Sequence, residues 1–278
     1  MSVINTNVNA LVAQNAATVN SRSMTKAMEQ LSTGKRINGA ADDAAGLAIS
    51  NKMTSQIRGL NQAVRNANDG ISMIQVAEGA TIEVTNMLQR MRELAVQGIN
   101  DTNTTTDRTS LKTEYQQLGK EIARISANTE WNTTKVANAS ANSAAFQVGA
   151  NSSQTITVAF SDITALSGMT AVISAADAAS AGSVADFAGT TLSNLDTAIT
   201  AISSYRSTLG ASINRLNYAA DNLQNVSTNT SESRSRILDT DYAQATTELA
   251  RTQIIQQAAT AMLAQANQQP QSVLSLLR

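Results

Sequence analysis

Between Met53 and Ile74 the apolar residues fall at alternating steps of four and three: Met53, Ile57, Leu60, Val64, Ala67, Ile71 and Ile74. The register shifts through Ala77 and Ala80, then resumes at Val84, Met87, Met91 and Leu94. Such an alternation is a coiled-coil signal, and the inserted three-residue steps read as a stammer. The chain has one proline in 278 residues, where average usage would give about fourteen, so almost nothing interrupts a long helix. A helix over residues 42–98 would be about 85 Å long at 1.5 Å per residue. A compact globule of this chain length is only about 50 Å across. The spacing therefore predicts a rod.

A second stripe answers the first. Leu195, Ile199, Ile202, Leu209, Ile213, Leu216, Ala220 and Leu223 keep the same steps, and Leu238, Tyr242, Ala245 and Leu249 carry helix onward. A shorter helix is expected around Leu111, Tyr115, Leu118, Ile122 and Ile125, after a polar turn at residues 101–107. Residues 3–33 read as a helix stopped by Gly34, a residue suited to a left-handed C-cap. Asp42 or Asp43 can cap the helix that follows. Phe146, Val148 and Ala150, then Ile156, Val158 and Phe160, alternate with polar residues around a turn at 151–154, which predicts a hairpin with one apolar face. Residues 161–190 read as a short surface connector with room for a helical turn. The fold class expected is mainly α: an elongated antiparallel helical bundle or coiled coil with a small central β-hairpin. Residues 1–41 and 236–278 would form paired terminal helices with a connector, and residues 42–235 the rod, with the hairpin near 145–161.

The chain ends are unusual. Residues 252–277 carry no charged side chain, and neither do residues 2–21. Solvated ends are normally polar and frayed, so these ends are expected to be buried together or against other copies of the chain. In a homopolymer a buried charge would meet the same surroundings in every copy and cost several kcal/mol unless matched, on the order known for buried ions. Candidate packing residues are Ile4, Val8, Leu11, Ile255, Met262, Leu263, Val273, Leu274, Leu276 and Leu277. Unassembled, such ends are expected to be disordered and to order on polymerisation.

The composition excludes much else. There is no cysteine and no histidine, which removes thiol chemistry, disulfides and the commonest general base and transition-metal ligand. Net charge is −1, giving no bulk attraction to nucleic acid, and residues 22–65, locally basic, are spread around a helix. The Gly34-Lys35 and Gly119-Lys120 pairs lack the remaining glycine and hydroxyl of a phosphate loop. The adjacent Asp42 and Asp43 suit helix capping better than acid–base work, and Asp239 with Asp241 is too little for a metal cage. No cofactor, metal, enzymatic activity, nucleic-acid binding or membrane insertion is expected. Before Arg22 there is no basic residue of a secretory signal, so an exported chain would leave by another route.

Several segments resemble one known family, the bacterial flagellins. They are Ser2-Val-Ile-Asn-Thr-Asn-Val-Asn9, Gln30-Leu-Ser-Thr-Gly-Lys-Arg-Ile-Asn38, Asp42-Asp-Ala-Ala-Gly46 and Arg65-Asn-Ala-Asn-Asp-Gly-Ile71. Gln89-Arg-Met-Arg-Glu-Leu-Ala-Val96 looks like the corresponding family segment, with Met91 where the family has valine. Ser235-Arg-Ile-Leu-Asp-Thr-Asp-Tyr242 and Ala264-Gln-Ala-Asn-Gln-Gln-Pro-Gln-Ser-Val-Leu-Ser-Leu-Leu-Arg278 resemble its carboxy-terminal region.

The resemblance implies a self-assembling subunit of the extracellular flagellar filament, in a short form without large central outer domains. It implies export, unfolded, through the flagellar type III apparatus, and as partners other copies of the chain, an export chaperone, and cap and hook-junction proteins. It implies that the two chain ends pair as an inner tube. It also implies recognition by Toll-like receptor 5, carried here by Gln89, Arg90, Glu93, Leu94 and Glu114, and reading of residues 273–278 by intracellular inflammasome sensors. Two other readings stay open at this point: a hook–filament junction protein, which would not extend indefinitely, and a soluble coiled-coil adaptor with ordered ends. An enzyme is the remote third.

Overall fold

The structure, a computed structural model, describes residues 6–138, 143–177 and 189–275. The chain forms two compact units, Met1–Gln56 with Thr228–Arg278, and Ile57–Ser227. Both unit boundaries fall inside helices.

The first unit holds α1 (Val8–Thr33) and α6 (Tyr242–Ser275), the beginning of α2 (Ala44–Ile99) and the end of α5 (Gly189–Leu238). Asn7 starts α1, its side chain accepting the N–H of Ala10. Gly34 ends it as expected, in the left-handed conformation at φ 69°, with its N–H donating to Gln30. The two neighbouring carboxylates divide their work. Asp43 Oδ1 accepts the Gly46 N–H at 2.9 Å and opens α2. Asp42 instead binds the connector, accepting the N–H groups of Asn38 and Gly39 and the Lys26 ammonium at 2.8 Å. These contacts hold its carboxyl below the usual carboxylate range, the Lys26 bond contributing most.

Residues 239–241 interrupt the helix that the sequence carries straight on from Leu238. The break is paired with the connector: Arg36 N–H donates to Leu238 O at 2.7 Å, Thr240 N–H to Gly34 O at 3.1 Å, and the Arg36 guanidinium to Ile237 O. Asp241 then caps α6 through the N–H groups of Ala243 and Gln244. The backbone of α6 continues through Pro270, although that residue has no N–H to give the ladder.

The second unit is built on α2 and α5. Ser227 Oγ donates to Asn61 Oδ1, and Arg92 Nε to Asp196 Oδ1 at 2.7 Å. The step from Asn61 to Arg92 along α2 matches the step back from Ser227 to Asp196 along α5, which is the signature of antiparallel pairing in one register. The stripes meet as predicted: Ile57, Leu60, Ala67, Ile74, Ala77, Val84, Met91 and Leu94 are buried, with Leu195, Ile202, Leu209, Leu216 and Leu223. α3 (Thr105–Asn128) begins in a capping box, Thr104 and Asp107 each accepting the other's N–H.

Two regions differ from the sequence reading. Residues 130–135, for which the sequence predicts no strand, form a small hairpin, β1 (Glu130–Trp131) with β2 (Thr134–Lys135). Asn132 and Thr133 both take positive φ, as a two-residue type I′ turn requires. The larger correction concerns residues 161–177, expected as surface connector. A 3-10 turn (Ile163–Ala165) and α4 (Met169–Asp177) put Ile163, Met169, Val172 and Ala176 into the core beside α2, α3 and α5. Spacing of three and then four along α4 makes a buried face too short to register as a pattern in an Ala- and Ser-rich segment.

The expected hairpin is present as β3 (Ala144–Gln147) antiparallel to β4 (Thr155–Val158), with Phe146 opposite Ile156. Its apolar face packs into a cluster with Trp131, Ile74 and Leu209. Tyr115 of α3 belongs to the cluster of Leu88, Met91 and Leu195, and burial pushes its hydroxyl up to about 12. Two helix glycines are landing points for the β3–β4 hairpin. A Cβ on Gly70 would lie 3.0 Å from the Phe146 ring, and one on Gly59 would lie 3.0 Å from the Ala150 Cβ. Gly79 has nothing within 4 Å.

Candidate assembly surface

The pairing of α1 with α6 inverts the usual arrangement of an amphipathic helix pair. The residues of α1 turned toward α6 are Ala10, Ala13, Ala17, Asn20, Met24, Ala27 and Leu31, in strict alternation of three and four. From α6 come Ala245, Leu249, Thr252, Gln256, Ala259, Leu263 and Ala266, in the same alternation. This is a heptad seam, but it is made largely of small and amide side chains. Asn20 and Thr252 are buried within it. Asn20 Nδ2 donates to Thr252 O at 2.8 Å and to Gln256 Oε1 at 3.2 Å, and Asn7 Nδ2 donates to Ala266 O at 2.8 Å. Thr252 disposes of its own hydroxyl by donating to Glu248 O and Leu249 O.

The large apolar side chains lie on the other side. Val8, Leu11, Val12 and Val19 of α1 are more than half exposed, as are Ile254 and Met262 of α6, and Ile255 is 44% exposed. Val12, Ile255 and Met262 line one apolar groove with Ala13, Ala16 and Ala259. Of the residues singled out from the sequence, Val8, Leu11, Ile255 and Met262 therefore point away from the seam, and Leu263 sits half-buried within it. Ile4, Leu276 and Leu277 lie outside the described residues, and Val273 and Leu274 are described only as α6 backbone. Asn7, Asn20, Thr252 and Gln256 were not picked out from the sequence. Their signal was their place in the three–four alternation, which hydrophobicity alone conceals.

The residues linked by resemblance to receptor recognition lie in the second unit, on α2 and α3. Arg90 Nε donates to Glu114 Oε1 and Nη1 to Glu93 Oε2, both at 2.9 Å, so the guanidinium is clamped between two helices on an exposed face. The bond to Glu114, then that to Glu93, raises the guanidinium above its ordinary value, and it stays charged. Gln89 is exposed beside it. Leu94 is not part of that face: it is 1% exposed and packs in the core, because its position continues the buried stripe of Val84 and Met91.

Among the described residues no cluster of metal-ligating side chains occurs, and no helix is long and apolar enough to cross a membrane. Comparison with known proteins gives one family throughout. The family model described as the bacterial flagellin N-terminal helical region matches residues 4–142, and that of the C-terminal helical region matches residues 192–277. A flagellin of Halalkalibacterium halodurans is 48% identical over 278 residues, covering 99% of this chain and 100% of that one. A flagellin of Bacillus subtilis is 42% identical over 302 residues, covering 99% of each. A crystal structure of Bacillus cereus flagellin superposes with a TM-score of 0.49 at 32% identity, covering 57% of this chain and 88% of the other.

Proposed function

The chain belongs to the bacterial flagellin family, and from that premise we propose that the outward face of the α1–α6 pair is the surface through which its copies polymerise. Flagellins are structural filament proteins and not enzymes, and this chain is a structural subunit of the extracellular flagellar filament. The observation that carries the finer reading is the inversion just described: small and amide residues in the seam, large apolar residues outside. Fully covering a Val, Leu, Ile or Met side chain is worth about 1.5–3 kcal/mol. Residues about half exposed, such as Leu11 and Ile255, would each return about half of that when a second copy covers them. An isolated pair with so little apolar seam is weakly held, which favours ordering of the ends as the polymer forms. Contacts between unlike faces of identical subunits give helical filaments where the rotation between copies does not close.

The test is a pair of charged substitutions, Leu11→Asp and Ile255→Asp, examined by electron microscopy after salt-induced assembly. Each places an unmatched carboxylate in a repeated apolar contact, at a cost of several kcal/mol per subunit on the scale of buried ions. Filaments should be lost while unfolding of the Ile57–Ser227 unit is unchanged. Charged variants that grow filaments of normal length would move the interface elsewhere. Indefinite growth of the unmodified protein also separates a filament subunit from a junction protein.

A second reading concerns recognition from outside. The clamped Arg90, with Gln89, Glu93 and Glu114, forms a fixed charged face suited to Toll-like receptor 5. Leu94 would serve it only by supporting α2 from within. Arg90→Ala should weaken receptor signalling by soluble protein at least about tenfold, the scale of a lost charged anchor, whereas Leu94→Val should leave it nearly intact. An unchanged response to Arg90→Ala would remove this face from consideration. Export in unfolded form by the type III apparatus, and handling by an export chaperone, cap and hook-junction proteins, complete the proposal on the strength of family membership.

A further inference from the structure

An alanine-rich seam has a weakness: it looks nearly the same after a slip of one heptad. Along α6 the seam runs Ala245 and Leu249, then Thr252 and Gln256, then Ala259 and Leu263. The layers on either side of the middle one are alike, each an alanine followed by a leucine. The middle layer is the one that faces Asn20, which lies 8% exposed and donates both to the Thr252 carbonyl and to the Gln256 side-chain oxygen. A slip of seven residues in either direction would still offer Asn20 a main-chain carbonyl, from Ala245 or Ala259. It would replace Gln256 by Leu249 or by Leu263. The second amide proton of Asn20 would then be buried against a leucine, a loss that native structures avoid.

We infer that Asn20, through Gln256, is the positioning residue that selects the register of α1 against α6, and so fixes which outward apolar side chains lie side by side. The reasoning matches the general behaviour of a single buried amide in a coiled-coil seam, which costs stability and specifies alignment. Asn7 also crosses the seam, roughly 20 Å away at 1.5 Å per residue, but it donates to Ala266 O, a main-chain carbonyl that a slip would replace by another, so the selection rests on the Asn20–Gln256 pair. Register matters to the assembly surface, and here the inference deepens the polymerisation reading. The groove beside the seam needs Val12 of one helix next to Ile255 and Met262 of the other. Ile255 and Met262 are themselves one heptad apart, so a slip of one heptad, about 10 Å along the axis, leaves Val12 beside at most one of them, and the repeating surface would no longer be the same in every subunit.

The absence of cysteine makes the register directly readable by disulfide mapping in the full chain. Ala13→Cys with Ala259→Cys reports the register seen here. Ala13→Cys with Ala266→Cys, or with Thr252→Cys, reports a slip of one heptad either way. With Asn20 present, oxidation should cross-link the first pair at least about tenfold better than the other two, the order of preference a stranded amide proton imposes. Asn20→Leu should bring the three yields within about threefold of one another, a loss of preference on the scale of that one bond. Exchanging the two amides, Asn20→Gln with Gln256→Asn, should restore the preference. If Asn20→Leu leaves the Ala13/Ala259 disulfide dominant, or abolishes all three alike, Asn20 does not set register and the inference falls. The result is independent of the assembly reading. Unmodified chain that fails to form filaments overturns that reading, while the cross-linking ratios still decide the role of Asn20.

Discussion

Replacing Gly79 by alanine should stabilise the subunit, whereas the same change at Gly70 or Gly119 should destabilise it. All three lie in helices of the Ile57–Ser227 unit, so each substitution gains about 1 kcal/mol of helix propensity. They differ in the space available. A Cβ at Gly79 meets nothing within 4 Å, so the gain stands alone. At Gly70 it would sit 3.0 Å from two carbons of the Phe146 ring and 3.2 Å from a third. The ring lies flat over the glycine and would have to lift with strand β3, at a cost of about 1–3 kcal/mol for an overpacked site. At Gly119 the new carbon would lie 2.5 Å from the Ala176 Cβ. That neighbour has no free rotor to turn aside, so α4 itself must move, and the cost belongs at the upper end of that range.

For a unit of this size about 1 kcal/mol shifts Tm by about 2–4 °C. Thermal melts followed by circular dichroism at 222 nm should therefore rank Gly79→Ala above the unmodified protein, then Gly70→Ala, with Gly119→Ala lowest. A Gly79→Ala protein that melts at or below the unmodified one would refute the argument, as would a Gly119→Ala protein stabilised equally. The same variants give a second measurement. If Gly79→Ala stabilises the monomer but blocks filament growth, the open space at Gly79 is occupied by a neighbouring subunit in the polymer.

Two further outcomes are expected. Asp42 has a folded-state carboxyl held below its ordinary value by Lys26, Gly39 and Asn38, so its contribution is present above the ordinary carboxylate range near 4 and is lost as pH falls through the lower folded value; acid unfolding of Asp42→Asn, followed by circular dichroism, should accordingly be less steep below about pH 4 than that of the unmodified protein. Tyr205 is buried, and its hydroxyl accepts the Ser161 N–H at 3.1 Å, so Tyr205→Phe should strand that N–H and cost about 1 kcal/mol in urea unfolding, with filament formation unaffected.

The helices of the second unit were legible because their cores are made of the residues that hydrophobicity picks out. Val84, Met91, Leu94, Ile202 and Leu216 are large, apolar and periodic, and burial follows periodicity there. Gly34 and Asp43 were legible because each performs a local task, a left-handed cap and an N-terminal cap, that few residues do as well. The buried side of α4 was not, since Met169, Val172 and Ala176 occupy too few turns to establish a period. β1 and β2 were missed because Thr133 holds a positive φ usually given to glycine. The terminal helices divide the work in a way that hydrophobicity alone does not separate: Val8, Leu11, Ile255 and Met262 are apolar and turned outward, whereas the seam within the chain is made by Ala13, Asn20, Thr252 and Ala259. In a protein that works alone, that outward arrangement would be a liability to aggregation. A chain whose ends also lack charge does nothing to limit that liability, which is what the proposal that this face is half of a contact would explain. On that proposal the small residues inside bring α1 and α6 close, the amides fix where they lie along each other, and the large residues outside are left for another copy.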